Sequence, residues 1–219
     1  MDQQDKIRRI FLFGTVAMGV LIVGGLVWAV AMGPGEGGNT IDPNITFNDD
    51  LNPAVGPENA KVTVRIFSDF QCSACKIAEV ALRQAESQYK DRVRFVWNDY
   101  PLTSLHANAM GAAVAARCAQ EQNKFWEYSE KLFANQAVWE KLADPNPQFT
   151  ALAKDLGLLD DKFALCLGKE QPKNKVKQDI AEGEGMGIEG TPTFFINRQR
   201  FSGAWDLVAW QKALDQALK

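Results

Sequence analysis

Two cysteines three positions apart, Cys72 and Cys75, are the residues of this sequence whose spacing most directly suggests chemistry. Such a pair can exchange disulfides, contribute half of a metal site or form a simple structural bridge. Disulfide exchange needs a thiolate that attacks and a second thiol close enough to resolve the mixed disulfide. A spacing of two intervening residues brings the second thiol within reach across one helical turn, so we favour redox chemistry.

The elements around this pair are a strand before it and a helix after it. The β-branched run at residues 61–67 is typical of a strand buried on both faces. Apolar residues recur at helical spacing over residues 78–89, and residues 92–97 alternate as a second strand. This order predicts a parallel βαβ unit. The cysteines then lie where the helix begins, and its unpaired N–H groups and dipole favour a thiolate.

Residues 10–32 form an apolar segment of 23 residues without a charge, and a helix of this length covers the roughly 30 Å of bilayer hydrocarbon. Lys6, Arg8 and Arg9 precede it, so the positive-inside rule predicts a cytoplasmic N-terminus and an extracytoplasmic remainder. A cleaved signal peptide is the alternative, but its apolar region is typically only about 7 to 15 residues long. We therefore expect a retained single-pass anchor in the cell membrane.

Composition divides the chain into four parts. Residues 1–9 are a cytoplasmic N-terminus, residues 10–32 the anchor, residues 33–58 a flexible linker rich in Gly, Pro, Asn and Asp, and residues 59–219 the folded domain. The 24 basic and 27 acidic residues give a formal net charge of -3. Without a basic run interleaved with aromatic residues, nucleic-acid binding is not an expected function.

The other two cysteines, Cys118 and Cys166, allow an alternative in which all four bind zinc. Zinc sites of this kind usually combine two close pairs, whereas Cys118 and Cys166 are 48 positions apart. An even number of cysteines in an exported domain usually indicates bridges, so we predict that these two form a structural disulfide. The competing hypothesis is a second redox relay. We predict no metal and no cofactor.

A second motif, GIEGTPTFFIN at residues 187–197, leads from a glycine-rich helix end through Thr191 and Pro192 into a strand. Alone, Pro192 is typical of an ordinary strand entry. Together with the βαβ unit and the cysteine pair, the motif resembles the thioredoxin superfamily, in which this peptide bond is cis and lies beside the redox cysteines. The resemblance implies that Thr191 and Pro192 bind substrate, with the Thr191 backbone facing an extended peptide.

The 117 positions between Cys75 and Pro192 are more than one strand and a crossover need, so a segment is inserted. Helical stripes and cap-like residues fill most of it, at about residues 104–187. A thioredoxin fold with such an insertion resembles the DsbA family of exported disulfide oxidoreductases, over about residues 54–218. The predicted fold class is therefore α/β, a thioredoxin fold with a helical insertion before the cis-proline strand, preceded by a transmembrane helix. A hairpin through Asn197 and Arg198 and a helix capped by Asp206 complete it.

The DsbA resemblance implies that Cys72 is the nucleophile and Cys75 the resolving thiol. The sequence departs from that family at the intervening dipeptide, Ser73 and Ala74, which lacks the histidine or proline that relatives often carry. Ile66 is a second departure, because relatives often have a buried acidic residue there. The redox potential is therefore left open.

Asp69 and His106 are the two candidates for proton transfer near the cysteines. Asp69 precedes Cys72 closely, and its alternative role is a cap or turn. His106 is the only histidine, and we place it in the first turn of an inserted helix, where its alternative role is packing.

The expected function is that of a membrane-tethered thiol–disulfide oxidoreductase that introduces disulfides into exported proteins. Its expected partners are reduced or unfolded exported proteins and, by family resemblance, a quinone-linked membrane protein of the DsbB or VKOR type. One alternative is a disulfide reductase that uses the same cysteine pair. The other is a tethered module that binds peptides or a metal without catalysis.

Overall fold

The computed structural model of the protein describes residues 40–42 and 45–219. The predicted cytoplasmic N-terminus, the predicted membrane anchor and the first part of the predicted linker lie outside these ranges. Within the ranges that are described, no helix has the length and apolar character needed to cross a membrane.

A mixed five-stranded sheet organises the described part of the chain, in the order β1-β3-β2-β4-β5. Its strands are β1 (Ala54–Val55), β2 (Val62–Ser68), β3 (Val93–Asp99), β4 (Thr193–Ile196) and β5 (Gln199–Ser202). Strands β2 and β3 are parallel, with Val62 opposite Val93 and Ser68 opposite Asp99. The other pairs are antiparallel. The predicted thioredoxin-like α/β fold is therefore confirmed.

Helix α1 (Ser73–Tyr89) connects β2 to β3. The helices after β3 are α2 (Ala109–Gln120), α3 (Phe125–Ala134), α4 (Gln136–Trp139), α5 (Asn146–Asp155), α6 (Asp160–Leu167) and α7 (Glu170–Gly185), and α8 (Leu207–Ala217) follows β5. Helices α2 to α7 lie between β3 and β4, so the insertion is helical as predicted. The four-residue helix α4 was not predicted, because it is too short to show a helical period.

The two faces of the sheet bury different side chains because successive residues of a strand point to opposite sides. Val64 and Ile66 of β2 face a large core that includes α1 and the insertion helices. Phe67 faces a smaller cluster that contains Phe195 and Tyr100. Burying one such large apolar side chain contributes about 1.5 to 3 kcal/mol, so both faces stabilise the sheet.

The smaller cluster is partly covered by residues that the composition assigns to the flexible linker. Ile41 is buried there, and the Phe47 ring lies edge-on to Phe195 at 5.6 Å between centroids. The Arg65 guanidinium lies 3.9 Å from the Phe47 ring centroid and pairs with Asp49. The folded part therefore begins well before residue 59, because this sheet face needs apolar cover that its own strands cannot provide.

Strand β1 also lies within the predicted linker, and a glycine explains its position. Gly56 follows β1 with a φ of +96°, and a Cβ at this residue would lie 2.1 Å from the Val93 carbonyl oxygen. Only glycine allows the chain to approach β3 so closely in this conformation. The segment predicted as a linker thus contains Gly56, which the edge of the sheet requires.

Candidate active site

The loop after β2 and the first turn of α1 position the two redox candidates. Cys72 is the N-cap of α1, with extended backbone angles of -74° and 125° and no side-chain cap hydrogen bond. Its N–H donates to the Asp69 carbonyl at 3.1 Å, and its own carbonyl accepts from the Lys76 N–H at 3.1 Å. Cys72 is 8% exposed and Cys75 is 2% exposed, and both are unbridged thiols. A substrate sulfur therefore has better access to Cys72.

Hydrogen bonds lower the pKa of Cys72 from its ordinary value of 9.0 to about 5. The largest cause is the hydrogen bond from the Cys75 thiol, which outweighs the effect of burial in the opposite direction. The Thr191 side chain and the backbone N–H groups of Cys75 and Ala74 also lower this pKa. Cys72 is thus acidic without a histidine in the intervening dipeptide.

The pKa of Cys75 is shifted in the opposite direction, well above its ordinary value. Burial is the main cause, followed by the hydrogen bond to Cys72 and the negative charge on that sulfur. The Ser68 side chain, at the end of β2, opposes this rise through a hydrogen bond. The two pKa values are therefore driven apart, so that Cys72 ionises first and Cys75 keeps its proton.

Thr191 and Pro192, more than a hundred residues later in sequence, lie against this pair. The Thr191–Pro192 peptide bond is cis, and Cys72 Sγ lies 3.5 Å from the Thr191 carbonyl oxygen. The Thr193 hydroxyl donates to the Gly190 carbonyl at 2.8 Å, which links the start of β4 to this loop. The structure therefore brings together the two distant motifs that the sequence singled out.

Residues 49–216 match the sequence profile of a protein family described as thioredoxin, which is about three quarters of the chain. The chain belongs to the thioredoxin family.

Two curated relatives of this thioredoxin-family chain are sodium/proton antiporters. Na(+)/H(+) antiporter NhaA 3 of Salinispora tropica is 35% identical over 186 residues, which cover 85% of this chain and 27% of the antiporter. Na(+)/H(+) antiporter NhaA 1 of Salinispora arenicola is 33% identical over 186 residues, with the same two shares. The chain spans about a quarter of the length of these relatives, so their names do not assign transport to it.

Solved structures with a similar fold include oxidised BdbD from Bacillus subtilis, with a TM-score of 0.70 and 22% identity over 84% of this chain and 99% of that one. A thioredoxin-like oxidoreductase from Silicibacter pomeroyi DSS-3 has a TM-score of 0.67 and 23% identity over 80% of this chain and 97% of that one. Wolbachia pipientis alpha-DsbA1 has a TM-score of 0.69 and 18% identity, covering 81% and 92%. The family fold is therefore of the DsbA-like type.

Asp69 and His106, the two candidates for proton transfer, contact each other beside the thioredoxin-family cysteine loop. His106 Nδ1 lies 2.7 Å from Asp69 Oδ2, and the same oxygen accepts from the Leu102 N–H at 2.9 Å. Asp69 Oδ1 accepts from the Gln71 N–H at 2.7 Å. Asp69 therefore anchors the loop through its side chain as well as through its carbonyl.

The predicted position of His106 in a helix is wrong. Helix α2 begins only at Ala109, and His106 lies in the turns before it, where its N–H and that of Leu105 donate to the Leu102 carbonyl. The first apolar residues of the predicted helix therefore form a turn. This turn lets the imidazole reach Asp69.

Ile66, at the position where relatives often have an acidic residue, is 1% exposed and packs in the large core. No proton can be exchanged at this side chain. The polar group that contacts the buried Cys75 from β2 is instead the Ser68 side chain.

Cys118 of α2 and Cys166 of α6 are joined by a disulfide with an S–S distance of 2.06 Å and a Cα–Cα distance of 5.6 Å. The four-cysteine zinc site is excluded in this structure because two of its four ligands are bonded to each other. Across residues 40–42 and 45–219, no group of three or more His, Cys, Asp or Glu residues is arranged to hold a metal ion.

Gln136 is a residue near the cysteines that sequence reasoning missed. Its side-chain amide donates to the carbonyls of Phe70 at 2.8 Å and Cys72 at 3.2 Å. The only sequence signal at this position is a polar residue within a four-residue helix, which a surface residue would show equally well. The contact joins residues 64 and 66 positions apart, and local patterns carry no information about it.

Proposed function

We propose that this chain is an exported thiol–disulfide oxidoreductase that introduces disulfides into reduced exported proteins through Cys72 and Cys75. The observation that carries the proposal is the opposite shift of the two pKa values, with Cys72 lowered to about 5 and Cys75 raised. A protein that needs its cysteines only for structure has no use for this asymmetry. A thiol exchanger requires one sulfur that serves both as a nucleophile and as a leaving group, next to a second thiol that stays protonated.

In the oxidising reaction, a substrate thiolate attacks Cys72 Sγ of the Cys72–Cys75 disulfide. A bond forms between the substrate sulfur and Cys72, while Cys75 leaves and takes up a proton. A second substrate thiolate then attacks the substrate sulfur of this mixed disulfide, and Cys72 leaves as a thiolate. The substrate loses two electrons and gains a disulfide, and the cysteine pair gains those two electrons.

The stabilised Cys72 thiolate supports the oxidising direction. Hydrogen bonds that stabilise the Cys72 thiolate stabilise the reduced pair, which makes the disulfide form a stronger oxidant. They also speed the second step, because a less basic thiolate leaves faster. The reductase alternative runs the same steps in reverse, and it is disfavoured by a stabilised Cys72 thiolate.

The proposed location is the cell membrane, and the proposed partners are a reduced substrate and a membrane redox protein. Residues 10–32 would hold the chain in the cell membrane, with the N-terminus in the cytoplasm and the catalytic domain outside. The backbone of Thr191, beside Pro192 and Cys72, would pair with an extended segment of a reduced substrate. The electrons of the reduced pair would pass to a quinone-linked membrane protein of the DsbB or VKOR type.

The test is the redox equilibrium of the Cys72–Cys75 couple against glutathione, measured on the full chain. We expect a potential nearer to that of DsbA, about -120 mV, than to that of thioredoxin, about -270 mV. A value near the latter would instead support the reductase. In the control, Cys72→Ser should abolish exchange with a reduced exported protein, and exchange that survives this substitution contradicts the proposed chemistry.

The binding-module alternative and the tether are tested separately. A pure binding module would retain its peptide ligand in Cys72→Ser and would show no exchange in the unsubstituted chain. For the tether, the full chain should remain with membranes after a high-salt wash, whereas a chain without residues 1–32 should be released. Release of the full chain with intact N-terminal residues would contradict the anchor.

A further inference from the structure

Gln136 is an insertion residue whose side chain reaches the loop before α1. It is 4% exposed, and its Nε2 donates to the Phe70 carbonyl at 2.8 Å and the Cys72 carbonyl at 3.2 Å. Phe70 is itself fixed by aromatic packing, since its ring stacks on Trp97 at 4.9 Å between centroids. A buried amide that donates to two loop carbonyls restricts the Phe70–Gln71 and Cys72–Ser73 peptide groups.

The orientation of the Cys72–Ser73 peptide matters because Cys72 is the N-cap of α1. The backbone of Cys72 sets where its sulfur lies relative to the first turn of the helix. The N–H groups of Ala74 and Cys75, which lower the Cys72 pKa, follow directly in the first turn. Gln136 holds the intervening peptide from its carbonyl side.

The rest of the loop is held by the same insertion. Gln71 Nε2 donates to the Glu140 carbonyl at 2.8 Å, and the Asn108 N–H donates to Gln71 Oε1 at 2.8 Å. Helix α4 is in turn anchored by Trp139, whose indole N–H donates to the Leu132 carbonyl at 2.9 Å. Residues 70, 71 and 72 therefore each form a hydrogen bond with the insertion.

We propose that Gln136 is a positioning residue of the redox pair, whose amide couples the helical insertion to the Cys72 carbonyl and holds Cys72 Sγ against the first turn of α1. This inference rests on the proposed thiol–disulfide exchange at Cys72. Without the amide donor, the Cys72 carbonyl keeps only the hydrogen bond from the Lys76 N–H within the described chain. The Cys72–Ser73 peptide is then held less firmly, and the Cys72 sulfur is held less closely against the first turn. The Cys72 thiolate then becomes less stable, and the oxidised pair becomes a weaker oxidant.

The test is Gln136→Met in the full chain, because methionine matches the length of glutamine and has no N–H donor. The rate of Cys72 alkylation is measured against pH, together with the equilibrium against glutathione. We expect the alkylation midpoint to rise by about one pH unit, a roughly tenfold fall in the acid dissociation constant of the thiol. The fraction of oxidised protein at a given glutathione ratio should rise in step.

Gln122→Met is the matched control. The Gln122 side chain accepts from the Leu159 N–H at 2.9 Å, within the insertion and without a contact to residues 70–72 among the hydrogen bonds of the described chain. Its alkylation midpoint should equal that of the unsubstituted chain. An equal shift in this control would mean that any loss of stability in the insertion changes Cys72, which overturns the specific role of Gln136.

Melting temperature and thiol exchange distinguish a positioning role of Gln136 from a purely structural role and from failure of the proposed function. If Gln136→Met melts at a lower temperature but keeps the original alkylation midpoint and glutathione equilibrium, Gln136 has only a structural role and the inference is overturned. Where the methionine variant does not fold, Gln136→Asn, which withdraws the amide by one methylene, is judged by the same two readouts. An unsubstituted chain that shows no exchange at all contradicts the proposed function instead.

Discussion

Cys72 owes its acidity to a set of hydrogen bonds, and the neighbouring thiol supplies the largest contribution. The Cys75 thiol remains protonated because burial and the Cys72 charge raise its pKa. The Thr191 side chain lowers the Cys72 pKa further. A small number of donors around one sulfur thus replaces the histidine that a related redox motif often carries.

Cys75→Ala removes the largest of these donors, so the pKa of Cys72 should rise from about 5 towards its ordinary value of 9.0. The measurement is the rate of Cys72 alkylation as a function of pH. The double variant Cys72→Ser/Cys75→Ala is the blank, because its remaining cysteines, Cys118 and Cys166, are bridged and do not react. A midpoint that stays near pH 5 in Cys75→Ala would show that the helix start alone acidifies Cys72.

The same lowered pKa predicts how the stability of the reduced chain depends on pH. Because the folded pKa of Cys72 lies below the unfolded value, its contribution is fully present above pH 9.0 and is lost as the pH falls through about 5. The oxidised chain lacks this titration. The free energy of unfolding in urea should therefore increase for the reduced chain, relative to the oxidised chain, between pH 4 and pH 8. No relative change over this range would contradict a lowered Cys72 pKa.

At the scale of elements, α7 is packed so closely against the end of β3 that one position has no room for a methyl group. A Cβ at Gly183 would lie 2.5 Å from Tyr100 Cε2. Tyr100 also donates its hydroxyl to the Ile188 carbonyl at 2.8 Å, in the segment that leads to Thr191. The close approach of α7 therefore positions the loop that faces Cys72.

Gly183→Ala should destabilise the chain by about 1 to 3 kcal/mol, because the added methyl group forces Tyr100 or α7 to move. Gly185→Ala is the matched control in the same helix, since a Cβ there meets no atom within 4 Å. It should be neutral or stabilising by about 0.5 to 1 kcal/mol, because alanine favours the helix. Urea unfolding measures both, and equal effects of the two substitutions would contradict the packing argument.

At the scale of the described residues 45–219 as a whole, contacts join the insertion to the thioredoxin core. Arg117 of α2 pairs with Asp99 of β3 and Asp179 of α7, each at 2.5 Å, and donates to the Leu51 carbonyl at 3.0 Å. Burial raises the pKa of Asp179, while the Arg117 charge opposes this rise. One buried guanidinium thus connects the segment before β1, the sheet and two insertion helices.

The Cys118–Cys166 disulfide has a structural role at this scale, because it closes a loop between α2 and α6 within the insertion. Replacing both cysteines with alanine should lower the free energy of unfolding by about 2 to 5 kcal/mol. The alkylation midpoint of Cys72 and the exchange rate should remain unchanged. A loss of exchange in a variant that is still folded would support the alternative of a second redox relay.

Several features of this protein followed from local sequence patterns. The β2–α1–β3 unit, the helical insertion and the α8 cap at Asp206, which accepts from the Ala209 N–H at 2.8 Å, each depend on residues close together in the chain. The motif at Thr191 and Pro192 could be associated with the cysteines only through the resemblance to a family. These patterns determined the fold class and identified the two thiols.

Tertiary structure decided what surrounds those thiols. The contact of His106 with Asp69, the hydrogen bonds of Gln136 and the packing of Phe47 on the sheet all join residues far apart in sequence. A glutamine or histidine has the same local pattern whether it faces water or a buried carbonyl. The sequence by itself therefore predicted a redox pair at Cys72 and Cys75, whereas only the fold decided what surrounds Cys72, because Thr191 and Gln136 are brought to it from distant segments.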